Sequence, residues 1–199
     1  MAIVVEHEKR RYEILERALD IFVEEGYEDA TFQKIADRCG ITRTTLYLYF
    51  KNKREIFVWS IKQLTDSVER YLREVMSNAN LSYPERLELV MFTIIDKCTE
   101  NRKLFNVVLT YLLQVQKTGK DPDSRVKRRT IRLRHLLSQI IIAGKNAGSF
   151  RDCNVKDANE LFYGLVESSI FRIAILDRDV ADDVKQAIRL AIEGISIST

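Results

Sequence analysis

Residues 40–57 read GITRTTLYLYFKNKREIF: four aromatic rings, two threonines side by side and four cationic side chains, with no acid before Glu55. On a helix beginning at Thr42, the side chains of Arg43, Thr44 and Tyr47 lie away from the Leu46 face and point outward. Arg can grip a guanine edge bidentately, and Thr can offer a hydroxyl or meet a thymine methyl, so these groups suit the major groove of duplex DNA. Thr31, Thr42, Tyr49, Lys51 and Lys53 would surround that face with phosphate partners, helped by backbone amides at helix starts. A plainer reading stands beside this one. Phe50 reads as core, Tyr49 is open between core and phosphate contact, and Tyr47 reads as outward. Lys51, Lys53 and Arg54 could be a solvated helix start, although cations there oppose the helix dipole.

Those side chains need elements to hold them. Ile14, Leu15, Ala18, Leu19 and Phe22 recur at helical spacing and predict a helix from about Glu8 to Glu25, stopped by Gly26. Thr31 is an N-cap for a second helix with Phe32, Ile35 and Ala36 on one face, and Gly40 can take the positive φ that ends it. Thr42 is an N-cap for a third. Only "CGI" lies between the second and third, which is the helix-turn-helix spacing, with Ile35, Cys39, Ile41 and Leu46 as a shared core. From Asn52 a long helix is expected, its apolar stripe formed by Phe57, Ile61, Leu64, Val68, Tyr71 and Val75. Further helices are expected at 84–99, 102–117 and 122–146, then at 155–176 and 183–197.

Composition agrees with an all-α chain. There are 7 Gly and 2 Pro in 199 residues, 46% apolar and 31% charged residues, and no low-complexity tract. No segment approaches roughly 18 consecutive apolar residues, so no membrane partner is expected. Cys39, Cys98 and Cys153 lack any CxxC spacing, and the histidines are His7 and His135 alone, so no metal or other cofactor is called for. A cytoplasmic protein with buried thiols is the expectation. Formal net charge is +3, too small to imply nucleic acid, and residues 1–55 hold ten Lys and Arg against eleven Asp and Glu. Distribution carries more information: Lys9, Arg10 and Arg11 cluster, as do Arg43, Lys51, Lys53 and Arg54, while Glu24, Glu25, Glu28 and Asp29 gather elsewhere. The basic run Arg125, Lys127, Arg128, Arg129, Arg132 and Arg134 reads as a solvated face.

The run RALDIFVEEGYEDATFQKIADRCGITRTTLYLYFKNKREIF, residues 17–57, resembles the amino-terminal domain of the TetR family of one-component transcription regulators. The likeness rests on a helix ending EEGY, the AT start, IADRCGIT and LYLYFKNK, in that order. It implies that residues matching Arg43, Thr44 and Tyr47 reach bases or nearby phosphates, while those matching Thr31, Thr42, Tyr49 and Lys53 hold the backbone. The chain departs from the pattern at Cys39, where Ala is frequent, at Thr44, where Gly or Ala is common, and at Leu48, where many members carry a second aromatic.

The resulting expectation is an amino-terminal three-helix helix-turn-helix domain, residues 1–53, and a larger helical ligand-sensing and dimerisation domain, residues 54–199. Trp59, Met91, Phe92, Phe105 and Tyr111 could line a ligand cavity or be plain core. Residues 161–176 are apolar nearly all round, so a second copy is expected to cover Leu161, Leu165 and Ser168, with Ala187 and Ala191 of the last helix beside them. The resemblance implies a homodimer on a palindromic operator in double-stranded DNA, released by an unidentified small-molecule effector. The alternative is a helical carrier or enzyme reusing the fold, but no nucleophile with an adjacent base, phosphate loop or metal spacing supports an enzyme.

Overall fold

The computed structural model describes residues 2–117, 124–176 and 180–197, with the side chains of residues 2–5, Leu64, Ser67 and 124–130 outside that description. The chain divides into two compact units, Met1–Arg70 and Tyr71–Thr199. The boundary falls inside one continuous helix.

The first unit contains α1 (Ala2–Asp29), α2 (Phe32–Cys39), α3 (Arg43–Tyr49) and α4 (Lys53–Ser77) as far as Arg70. α1 is longer than its apolar periodicity predicts. Gly26, at φ 85° and ψ 168°, breaks its winding where the sequence places a stop, and Tyr27–Asp29 form a short continuation. Thr31 caps α2 by accepting a hydrogen bond from the Lys34 amide at 3.1 Å. Gly40 then adopts the left-handed conformation, φ 65°, in which a side chain would be strained. In that conformation the Gly40 amide reaches the Asp37 carbonyl at 3.0 Å and the Ile41 amide reaches Ala36 at 3.1 Å, so α2 stops with its last carbonyls satisfied. Ile35, Ala36, Cys39, Leu46 and Phe50 are buried together with Ile14, Ala18 and Phe22 of α1. Phe57 meets Phe22 edge-on at 4.9 Å and Tyr27 at 4.9 Å. Burying each of the two phenylalanines contributes about 1.5–3 kcal/mol. The Ser60 hydroxyl donates to the Leu15 carbonyl at 2.9 Å and ties α4 to α1.

The second unit contains the end of α4, then α5 (Tyr83–Glu100), α6 (Arg102–Lys117), α7 (Ser124–Asn146), α8 (Val155–Ala174) and α9 (Ala181–Ile195). α5 starts at a capping box: Ser82 accepts from the Glu85 amide, and the Glu85 carboxylate accepts from the Ser82 amide at 2.7 Å. The Ser82 hydroxyl, donating to the same carboxylate at 2.6 Å, and the Ser82 amide hold the Glu85 carboxyl below its usual range. The buried stripe Leu87, Val90, Met91, Ile94, Ile95 and Cys98 is wide enough for several neighbours, and α5 packs on α7, α8 and α9. Behind α7, a methyl group at Gly144 would stand 2.2 Å from the Phe150 ring, so only glycine lets that ring close the α7–α8 connection. A single bridge between Phe150 and Ser196 anchors the end of α9 to the same loop.

One sequence expectation is corrected. Tyr71 is exposed, whereas Leu72 beside it and Val75 one turn later are buried. α8 is covered by its own chain on one side only. Phe162, Tyr163, Val166, Ser169 and Ile173 are buried, whereas Leu161, Phe171 and Ile175 are exposed.

Burial also sets thiol reactivity. It pushes Cys39 up and Cys98 up to about 12, while Cys153 is half-buried. Iodoacetamide at pH 8 is expected to label Cys153 before the other two, read by peptide mass spectrometry. Equal labelling of Cys98 in the folded protein would contradict this packing.

Candidate nucleic-acid interface

α3 has seven residues, RTTLYLY, and no acid. Thr42 caps it by accepting from the Thr45 amide at 3.1 Å, with the two threonine hydroxyls 2.9 Å apart. One residue, Leu46, is buried and roots the helix in the core, which turns Arg43, Thr44, Tyr47 and Leu48 outward. Tyr47, 49% exposed, stacks one ring face on Phe32 of α2 at 4.5 Å. Its hydroxyl accepts a hydrogen bond from the Arg43 guanidinium at 3.2 Å. Arg43 and Tyr47 therefore form an i,i+4 pair whose donors stay at the surface while Phe32 fixes the ring.

The expected backbone partners divide into two groups. Thr31 and Thr42 stand exposed at the starts of α2 and α3, where cap hydroxyls and amide ends favour a phosphate. Tyr49 is half-buried and its ring stacks on His7 of α1 at 4.5 Å and 21°, so α1 fixes its direction. Lys53 has an internal role that the sequence does not announce. Its ammonium donates to the Tyr27 and Glu28 carbonyls at 2.7 and 2.9 Å and lies 4.6 Å over the Tyr27 ring. Two of its three donors cap the end of α1, so it is a structural cation first and can offer a phosphate only what remains. Lys51 stays exposed, and the α4 start is closed by Asn52 accepting from Glu55 and by Glu55 accepting from the Lys51 amide.

Sequence reading misses the residues that hold this surface from behind. Arg10 and Arg17, two turns apart on α1, donate to the Cys39 carbonyl at 3.1 Å and the Arg38 carbonyl at 3.0 Å. They neutralise the negative end of α2 and fix the turn that launches α3. Their seven-residue spacing on one face is the only sequence signal for this. The acids of α1 are occupied nearby: Glu24 pairs with Arg38 at 2.6 Å, which holds the Glu24 carboxyl below its usual range, and Glu25 pairs with Lys34 at 2.7 Å.

The residues expected to line a ligand cavity are not all of one kind. Trp59 belongs to the first unit, in a groove of about 260 Å³ with Arg11, Tyr12, Lys62 and Arg70, and Arg11 lies 4.6 Å over its ring. Met91 and Tyr111 are buried in the second unit, and Phe105 is half-buried. Phe92 is half-buried, and Lys185 and Arg189 of α9 lie over its ring at 5.4 and 4.9 Å, themselves paired with Asp96 and Glu88. A separate cleft of about 460 Å³ in the second unit is lined by Met76, Tyr83, Arg86 and residues of α7. On the basic run, the side chains of Arg125, Lys127, Arg128 and Arg129 lie outside the described residues. Arg134 pairs with Glu160 and lies 4.0 Å over Tyr163. Leu165 is half-buried, Ala191 likewise, and Ser168 and Ala187 are exposed.

An outward-facing helix without acids, joined to α2 by a capped turn of three residues, makes a helix-turn-helix unit. Residues 14–58 match the family model of the bacterial regulatory proteins, tetR family. The chain is 21% identical over 187 residues to the fatty acid metabolism regulator protein of Bacillus subtilis strain 168, covering 92% of this chain and 94% of that one. Its fold matches a TetR transcription regulator from Haloarcula marismortui with a TM-score of 0.83 at 21% identity, over 96% of this chain and 100% of the other. It also matches the transcriptional regulator FadR of Bacillus subtilis in complex with stearoyl-CoA, with a TM-score of 0.73 at 22% identity over 92% and 97%. The family-model match covers the helix-turn-helix unit, from Ile14 in α1 to Val58 in α4.

Arg43→Ala is expected to weaken operator binding by about 1–3 kcal/mol and to relax discrimination at one position per half-site, without lowering the melting temperature. Lys53→Ala is expected to lower it, since two charge-assisted bonds worth about 1.5–3 kcal/mol each at most are lost. Thermal denaturation of both variants beside anisotropy titrations on operator and scrambled duplexes checks the pair. An unchanged melting temperature for Lys53→Ala would contradict its capping role.

Proposed function

We propose that this protein is a cytoplasmic, homodimeric repressor that binds a palindromic operator through α3 and leaves it when a small molecule occupies the second unit. In this reading residues 1–53 bind DNA and residues 54–199 sense and dimerise. The observation that carries it is the exposed Arg43–Tyr47 pair on a helix whose one buried residue is Leu46. A carrier has no use for such a surface. Thr31, Thr42, Thr44 and Tyr49 complete the DNA contact, with Lys53 contributing its remaining donor.

The dimer is supported by the uncovered face of α8 and α9. Leu161 is 49%, Phe171 53% and Leu190 71% exposed, with Leu165, Ser168, Ala187 and Ala191 between them. Two helices per subunit with such a face pack as a four-helix bundle in a symmetric contact. Two α3 helices at a fixed separation then read two half-sites, and a change in that separation weakens both contacts at once. Coupling of this kind is worth about 1–3 kcal/mol. For the effector, the Bacillus subtilis likenesses favour a long-chain acyl compound such as an acyl-CoA, and Met91, Phe105 and Tyr111 supply apolar lining among the central helices.

Three outcomes are expected. Gel shift should retain DNA from upstream of the protein's own gene, and stearoyl-CoA should release it. Carrier function without gene regulation is the conclusion if no duplex is retained. Leu165→Glu should convert a wild-type dimer into a monomer or an aggregate in sedimentation, and a stable wild-type monomer at micromolar concentration would overturn the dimer.

A further inference from the structure

Leu48 is 75% exposed in the middle of the proposed DNA-reading surface. It adds nothing to the core of its own unit, where Leu46 fills the position α3 has to offer. Thr44 is exposed one turn earlier, and residues four apart share a helix face, so its methyl group and the Leu48 side chain form an apolar strip along α3. Arg43 and Tyr47, joined at 3.2 Å, run beside the strip. A scattered exposed leucine needs no explanation. One set among donors on a helix without acids is different, because phosphate gives an isobutyl group nothing to gain. In the major groove, base edges present donors, acceptors and one apolar group, the 5-methyl of thymine.

We propose that Leu48, with the Thr44 methyl beside it, reads the 5-methyl group of a thymine in each half-site. The contact is apolar, so it separates thymine from cytosine at that position without a hydrogen bond, while Arg43 addresses a neighbouring base edge. This inference rests on the DNA-binding reading above. The competing occupant is the apolar edge of deoxyribose, which every sequence presents and which therefore would give affinity without discrimination.

Uracil differs from thymine only by this methyl group, which allows a test that leaves the protein unaltered. Wild-type protein first selects its operator from random duplexes, and each thymine of the half-site is then replaced by uracil in turn. One position per half-site is expected to weaken wild-type binding, roughly fourfold for each half-site altered. Leu48→Ala, whose folding is checked by circular dichroism because the residue is exposed, should bind the thymine and uracil duplexes alike. A half-site without thymine, wild-type binding unchanged by uracil at every position, or Leu48→Ala keeping the full uracil sensitivity would each overturn the proposal. Uniform loss by Leu48→Ala on all duplexes would assign the residue to the sugar backbone instead and overturn it too. A selection that enriches no duplex would overturn the DNA-binding reading underneath, a result distinct from the others.

Discussion

The left-handed turn at Gly40 is the constraint on which the proposed DNA-reading surface depends. Because that residue reverses the chain at the end of α2, Thr42 can start α3 two positions later, and Leu46 can reach the pocket formed with Ile35, Ala36 and Cys39. The direction of every outward group on α3 follows from that one buried leucine. A seven-residue helix has little stability of its own, since helix nucleation is costly and about 12 residues or more are needed in isolation. Its position is therefore imposed from outside: Phe32 under Tyr47, His7 against Tyr49, and the Arg10 and Arg17 guanidinium groups on the last carbonyls of α2.

α4 carries a different burden. Its first residues belong to the helix-turn-helix unit through Ile56, Phe57 and Ser60, and its last turn belongs to the second unit through Leu72 and Val75. A continuous helix of 25 residues transmits a displacement along its hydrogen-bonded backbone better than a loop would. In the proposed regulation this is the element both sites bias, and the second unit supplies the rest through α5, whose wide apolar stripe packs on α7, α8 and α9. The uncovered residues of α8 and α9 fit the same scheme, because a fixed dimer gives a movement of α4 something to be measured against.

The elements that depend on near neighbours were legible in the sequence. Thr31, Gly40 and Thr42 act within a few residues, and local chemistry decides them. Groups that act at a distance were not. Lys53 looks like a phosphate clamp because its carbonyl partners, Tyr27 and Glu28, are about 25 residues away in sequence and carbonyls have no signature. Arg10 looks like part of a basic cluster, and Arg17 gives no sign of its carbonyl partner, for the same reason. The two cations that lie over the Phe92 ring come from α9, far along the chain, and the sequence does not announce them. Tyr71 has the spacing of the α4 stripe, yet it is exposed while Leu72 beside it is buried, and no residue type reveals that.

Methylation by dimethyl sulfate separates the grooves, since guanine N7 lies in the major groove and adenine N3 in the minor groove. With protein bound to its operator, protection is expected at guanine N7 in two clusters related by the operator dyad, about ten base pairs or a multiple of that apart, and Arg43→Ala should remove one guanine from each cluster. Protection confined to adenine N3, or guanine protection that Arg43→Ala leaves intact, would contradict the assignment of α3 as the helix that reads the major groove.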